Sequence, residues 1–128
     1  MAGSNNIFVY GTLRRGFRNH ALLRNARYLG PHTTGPEFTM LDLGAYPGVV
    51  SGGTTPIVGE LYALTPRILN RLDVLEDYPS LYTRILVATP RGHAWMYLYR
   101  QRPFHRPVVA SGDWRRRANG VTKSAMTS

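Results

Sequence analysis

Apolar and polar positions in this chain switch between two periods, and the switches mark out its elements. Ile7-Phe8-Val9-Tyr10 is a continuous run of strand-forming residues, the pattern of a buried strand. It runs directly into Gly11-Thr12-Leu13-Arg14-Arg15-Gly16, a polar turn closed by a second glycine. Asn19 ahead of a string of helix formers predicts a short helix over 19–26. Strands are expected over 28–34 and 38–42, with a break at Gly35-Pro36 between them. Gly44-Ala45-Tyr46-Pro47-Gly48 reads as a rigid loop, because Pro47 fixes its own φ and biases Tyr46 toward an extended form. Residues 52–56 read as a flexible turn.

The second half alternates more cleanly. In the strand expected over 57–63, Ile57, Gly59, Leu61 and Ala63 share one face, and Val58, Glu60 and Tyr62 the other. Thr65-Pro66 is a strong helix start, with Thr as N-cap and Pro in the first turn. The helix runs to about Glu76, with Ile68, Leu69, Leu72 and Leu75 as its apolar stripe, and Tyr78-Pro79 ends it. Strands over 81–88 and 93–99 are joined at Pro90-Arg91-Gly92. Trp95, Tyr97 and Tyr99 fall on one face of the latter, and Met96 and Leu98 on the other. Residues 101–106 look irregular, and Val108-Val109-Ala110 suggests a last edge strand. About six strands with short turns and two helices predict an α+β fold with a mixed, mostly antiparallel sheet, not a doubly wound one.

Length and composition narrow the class. A chain of 128 residues is one domain; residues 1–114 carry the pattern, residues 1–6 read as a polar arm, and 115–128 as a basic, disordered tail. No cysteine is present, which excludes disulfides, thiolate metal sites and cysteine nucleophiles and fits a cytoplasmic protein. No apolar run approaches a membrane span and no basic-then-apolar leader opens the chain, so no membrane partner is expected. The net charge of +9 comes from fifteen arginines and one lysine, scattered except for Arg115-Arg116-Arg117. No nucleic-acid motif accompanies them, and charge alone argues only for non-specific association. His20, His32, His93 and His105 lack ligand spacing, so no metal is expected.

Three stretches carry candidate chemistry. Successive backbone N–H groups after Gly11 can form an anion site or an oxyanion donor pair, or the stretch is an ordinary strand-to-loop turn. Asp73, Glu76 and Asp77 stand at the negative end of the helix dipole, and Asp73 and Glu76 share a face at i, i+3. Such a broken local rule marks either a functional cluster or a solvated acidic turn paired with arginines. Tyr82 and Arg84 lie two apart on a strand and so face the same way; Arg84 is placed to meet a carboxylate of a substrate or of Glu76, or to lie on the surface.

Taken together, Val9-Tyr10-Gly11-Thr12-Leu13-Arg14-Arg15-Gly16, Asn19-His20, Leu43 to Gly48, Val58-Gly59-Glu60-Leu61-Tyr62, Leu72 to Pro79, Tyr82-Thr83-Arg84 and Ala94 to Tyr99 resemble the γ-glutamylcyclotransferase-like family in order and spacing. The resemblance implies a small, partly closed β-barrel flanked by helices, with a cavity at its mouth. It implies cyclisation of a γ-glutamyl amine or conjugate to 5-oxoproline, with no cofactor. Glu76 matches the family's catalytic glutamate in a Leu-Asp-x-x-Glu stretch and would be the general acid/base. Desolvation and a neighbouring Asp73 or Asp77 would raise its pKa. Tyr10, Gly11, Thr12, Leu13, Tyr46, Tyr82 and Arg84 would bind the small-molecule γ-glutamyl substrate. Two positions depart from the family pattern: Asp77 stands where a glycine often follows the glutamate, and Thr12 where many members have serine. Some branches lack the glutamate, so a non-catalytic relative that binds a metabolite is the alternative reading.

Overall fold

The computed structural model describes residues 5–101 and 105–117. Its main sheet has the order β2-β5-β1-β7-β6, formed by β1 (Asn6–Val9), β2 (Arg27–Thr33), β5 (Val58–Ala63), β6 (Tyr82–Thr89) and β7 (Gly92–Tyr99). A separate hairpin pairs β3 (Phe38–Asp42) with β4 (Pro47–Ser51). One α-helix, α1 (Pro66–Leu75), is present among the described residues. All pairings are antiparallel except β1 with β7, where Ile7 lies opposite Trp95.

Three expectations are corrected here. The sheet is not closed into a barrel: among the described residues β2 pairs only with β5 and β6 only with β7, so both remain edges. Seven strands form among the described residues, not six, because β4 begins inside the stretch that reads as a rigid loop. Pro47 is tolerated there as the first residue of its strand, opposite Asp42. The short helix expected over 19–26 shrinks to a 3-10 turn at His20–Leu23. The Asn19 side chain makes no cap bond to it; its amide N–H donates to the Thr12 hydroxyl at 2.9 Å, turning the side chain toward the preceding loop.

The main sheet is buried on both faces, which explains the unbroken apolar run of β1. Phe8, Leu61, Ala94 and Met96 pack on one side against Met40 and Val49 of the hairpin and against Trp114. Ile7, Val9, Tyr62 and Tyr97 pack on the other against Leu23 and the Ile68–Leu72 stripe of α1. The alternation expected of 57–63 and 93–99 is thus realised as two cores. Leu75, expected in the stripe, is instead exposed.

Both ends of α1 follow from local chemistry. Thr65 caps the N-terminus, its hydroxyl accepting from the Ile68 N–H at 3.2 Å, with Pro66 beginning the helix. At the other end the Tyr78 N–H donates to Asp73 O and the Asp77 N–H to Val74 O, a Schellman arrangement. Asp77 takes the left-handed position, φ +55°, where glycine is the usual occupant.

Val108 forms a single bridge to Leu41 and not an edge strand; Pro107 before it has no N–H to give a ladder, and only its carbonyl is used, by the Asp42 N–H. Packing continues past residue 114. Trp114–Arg116 forms a 3-10 turn, Arg115 lies over Phe17 and Arg117 over Trp114. The rest of the expected tail (118–128), part of the polar arm (1–4) and part of the irregular stretch (102–104) lie outside the described residues. Among the described residues no helix is long and apolar enough to cross a membrane.

Candidate active site

The loop after β1, the start of β4, the C-terminal end of α1 and the facing sides of β6 and β7 enclose a cavity of about 360 Å³. Glu76, Tyr10, Gly11, Thr12, Leu13, Tyr46 and Tyr82 all line it. Arg84, the remaining candidate, does not. The cavity also takes in Arg18, Asn19, Leu75 and Tyr97, which were not singled out for the site.

Glu76 is the C-cap residue of α1, so the helix delivers its side chain to the cavity at the point where the chain turns away. Its carboxylate is half-buried and makes no hydrogen bond or ion pair with any described residue. Burial pushes its pKa up to about 7, because the charged form has lost water without gaining a partner. The expected help from Asp73 or Asp77 is not needed: burial alone accounts for the rise.

The surrounding tyrosines leave the carboxylate unpartnered for a reason visible in their own bonds. Tyr10 donates to the Tyr97 carbonyl at 2.8 Å, Tyr82 to the Pro47 carbonyl at 2.8 Å, and Tyr97 to Asp73 Oδ1 at 2.6 Å. Each phenol is thereby held as a neutral donor, and burial raises all three pKa values well above the ordinary range. The negative charge of Glu76 adds to the rise in each. They give the cavity walls that are apolar in body and fixed in orientation.

Opposite this wall, the loop presents buried backbone. No acceptor among the described residues takes the N–H groups of Gly11, Thr12 or Leu13, although all three residues are buried. Buried N–H groups without a partner are rare, and three in succession at a cavity are a ready anion or oxyanion cradle. The loop is braced from outside: the Asn19 N–H donates to the Thr12 carbonyl and the His20 ring Nδ1–H to the Leu13 carbonyl. His20 is therefore a strut of the loop. Gly11 has a steric role too, since a Cβ there would meet Pro47 Cγ at 2.7 Å.

Arg84 reaches Asp73 instead of the cavity, with Nε and Nη2 at 2.9 and 3.0 Å from the two carboxylate oxygens. Its guanidinium is sandwiched by the Tyr78 and Trp95 rings. Strand alternation correctly places Tyr82 and Arg84 on one side, but Arg84 lies farther along the strand and meets the helix one turn before Glu76. Asp73, holding both Arg84 and Tyr97, anchors the last turn of α1.

A second cluster lies against the outer part of the same loop. Buried Glu60 accepts from the Tyr62 hydroxyl at 2.9 Å and the Arg15 N–H at 3.1 Å, and faces Arg14 Nε at 3.5 Å. Arg14 also donates to Asp113 Oδ1 at 2.8 Å. This network ties β5, the loop and the 113–117 segment together. Alternation alone could not reveal it, because its partners lie 45 and 99 positions apart.

Residues 7–116 match the family model described as Gamma-glutamyl cyclotransferase, AIG2-like. The chain belongs to this family. A Vibrio cholerae protein that carries the provisional name gamma-glutamylcyclotransferase is 44% identical over 108 residues, covering 84% of this chain and 93% of that one. The solution structure of ytfP from Escherichia coli is 39% identical, with a TM-score of 0.70 over 88% of this chain and 97% of that one. The fold extends further: a crystal structure of an uncharacterized protein from Pyrococcus horikoshii matches at 24% identity and TM-score 0.78, covering 98% and 100% of the two chains. Membership supports a cyclotransferase-type function.

Proposed function

We propose that this protein converts a γ-glutamyl amine or conjugate to 5-oxoproline and a free amine, with Glu76 as the proton carrier. The observation that carries the proposal is an unpartnered, desolvated carboxylate sharing one cavity with three unpartnered N–H groups. In a γ-glutamyl amide the substrate's own α-amino group is the nucleophile. Glu76 takes a proton from the α-ammonium and frees its lone pair. That nitrogen attacks the γ-carbonyl carbon and closes a five-membered ring, and the bond from this carbon to the departing nitrogen then breaks. The ring nitrogen sheds two of its three hydrogens. Glu76 carries one to the leaving nitrogen, and both depart on the amine as its ammonium. A carboxyl with a pKa near 7 can both accept and return a proton at neutral pH.

The N–H groups of Gly11, Thr12 and Leu13 hold the substrate's α-carboxylate or the oxyanion that forms during ring closure. Tyr46 and Tyr82 wall the γ-glutamyl chain into the folded shape that the attack requires. The test is release of 5-oxoproline from a panel of γ-glutamyl amino acids, γ-glutamyl-ε-lysine and simple γ-glutamyl amines. Turnover that collapses in Glu76→Gln supports the proposal. A folded native protein with no turnover on any of them would shift the reading to a metabolite-binding relative.

A further inference from the structure

Arg18 is the one arginine lining the cavity among the described residues, and nothing engages it. Arg14 and Arg15 belong to the same loop but are committed elsewhere. Arg14 is paired with Glu60 and Asp113, while Arg15 stacks on Tyr28 and gives its N–H to Glu60. Arg18 has no ion pair, hydrogen bond or ring contact to any described residue. Its backbone is nevertheless fixed, because Asn19 beside it is bonded twice to Thr12. Nor is its charge used to tune Glu76, whose raised pKa is accounted for by burial without a cation. The guanidinium is therefore available to a ligand.

The cavity thus offers two places for negative charge, and they differ in depth. The N–H groups of residues 11–13 are buried, whereas Arg18 is exposed and sits at the rim. A substrate that puts its γ-glutamyl end on the buried donors directs its leaving half outward, toward the rim. We infer that Arg18 is a specificity residue that holds a carboxylate on the leaving half of the substrate, so that γ-glutamyl conjugates of amino acids are preferred to those of simple amines. This rests on the cyclotransferase reading above. A guanidinium suits the task because its planar fork binds a carboxylate through two parallel hydrogen bonds.

The test compares γ-glutamyl-2-aminobutyrate with γ-glutamyl-propylamine, which differ only by that carboxylate, in native protein, Arg18→Gln and Arg18→Lys. Expected is a preference in kcat/KM of about two- to fivefold for the acid in native protein, the range of a solvent-exposed ion pair. It should be lost in Arg18→Gln and partly kept in Arg18→Lys. Equal turnover of the two compounds by native protein would overturn the inference. So would an equal loss on both in Arg18→Gln, which would place Arg18 on the γ-glutamyl half. If neither compound is turned over, calorimetric binding of the same pair decides the role of Arg18, and the panel above decides the catalytic reading. Tighter binding of the acid by native protein but not by Arg18→Gln keeps the assignment. Equal or absent binding removes it.

Discussion

Glu60 and Glu76 are the same residue type set against the same loop, and they are treated in opposite ways. Glu60 faces the outer part, where a hydroxyl, a backbone N–H and the Arg14 guanidinium meet its oxygens. Glu76 faces the inner part and meets none. A buried carboxylate with partners is structural glue whose loss leaves a stranded cation. One without partners is held near the point of protonation and is free to act on something that enters. The loop between them is braced on one side and offers bare donors on the other, so the proposed chemistry is set apart from the bonds that hold the fold by only a few residues.

Neutralising each carboxylate in turn separates the two roles. Glu76→Gln is expected to lower 5-oxoproline release by about 100- to 10,000-fold, the usual worth of a positioned acid/base, with no loss of thermal stability. Glu60→Gln should do the reverse. It leaves Arg14 buried with only Asp113, and a cost on the order of 3 kcal/mol is expected, read as a lower denaturant midpoint at unchanged slope. If Glu60→Gln abolished turnover without destabilising the fold, the division would be false.

The pH dependence of stability separates the two further. The folded-state pKa of Glu76 is raised from 4.5 to about 7, so between these values the folded protein binds more protons than the unfolded chain. Stability therefore falls as pH rises through this window, by roughly 1–3 kcal/mol after allowing for partial exposure. Chemical denaturation at pH 5 and pH 8 should show the fall in native protein and a smaller one in Glu76→Gln. A milder perturbation is Gly11→Ala, whose new methyl must displace Pro47. Overpacking costs typically about 1–3 kcal/mol, and because the Pro47 carbonyl holds Tyr82, KM should rise with the loss of stability. The smallest effect belongs to Tyr97→Phe, which removes one hydrogen bond to Asp73 while Arg84 still holds that carboxylate. A cost of about 1 kcal/mol is expected in equilibrium unfolding, with turnover nearly unchanged.

What the sequence discloses is local. The Thr65-Pro66 start, the helix that carries Glu76 and the alternation of 93–99 are written in adjacent residues, and the cavity carboxylate stood out because it opposes the helix dipole. What stayed hidden depends on distance along the chain. Arg84 shows its face but not its reach, so its partner Asp73 could not be told from Glu76. Pro47 and Gly48 read as loop residues until Leu41 and Asp42 are seen beside them. Arg18 looked like any other arginine, because its distinction is to lack a partner where its neighbours have them.

The most direct test of the contrast is a carboxyl-carbon NMR titration of the glutamate side chains, with Glu76 assigned by its absence from the Glu76→Gln spectrum. The Glu76 signal is expected to titrate with a midpoint near 7, and the acidic limb of 5-oxoproline release to follow the same curve. A Glu76 midpoint in the ordinary carboxylate range, near 4.3, would show that the carboxylate is solvated or paired, and would contradict its role as the cavity's proton carrier.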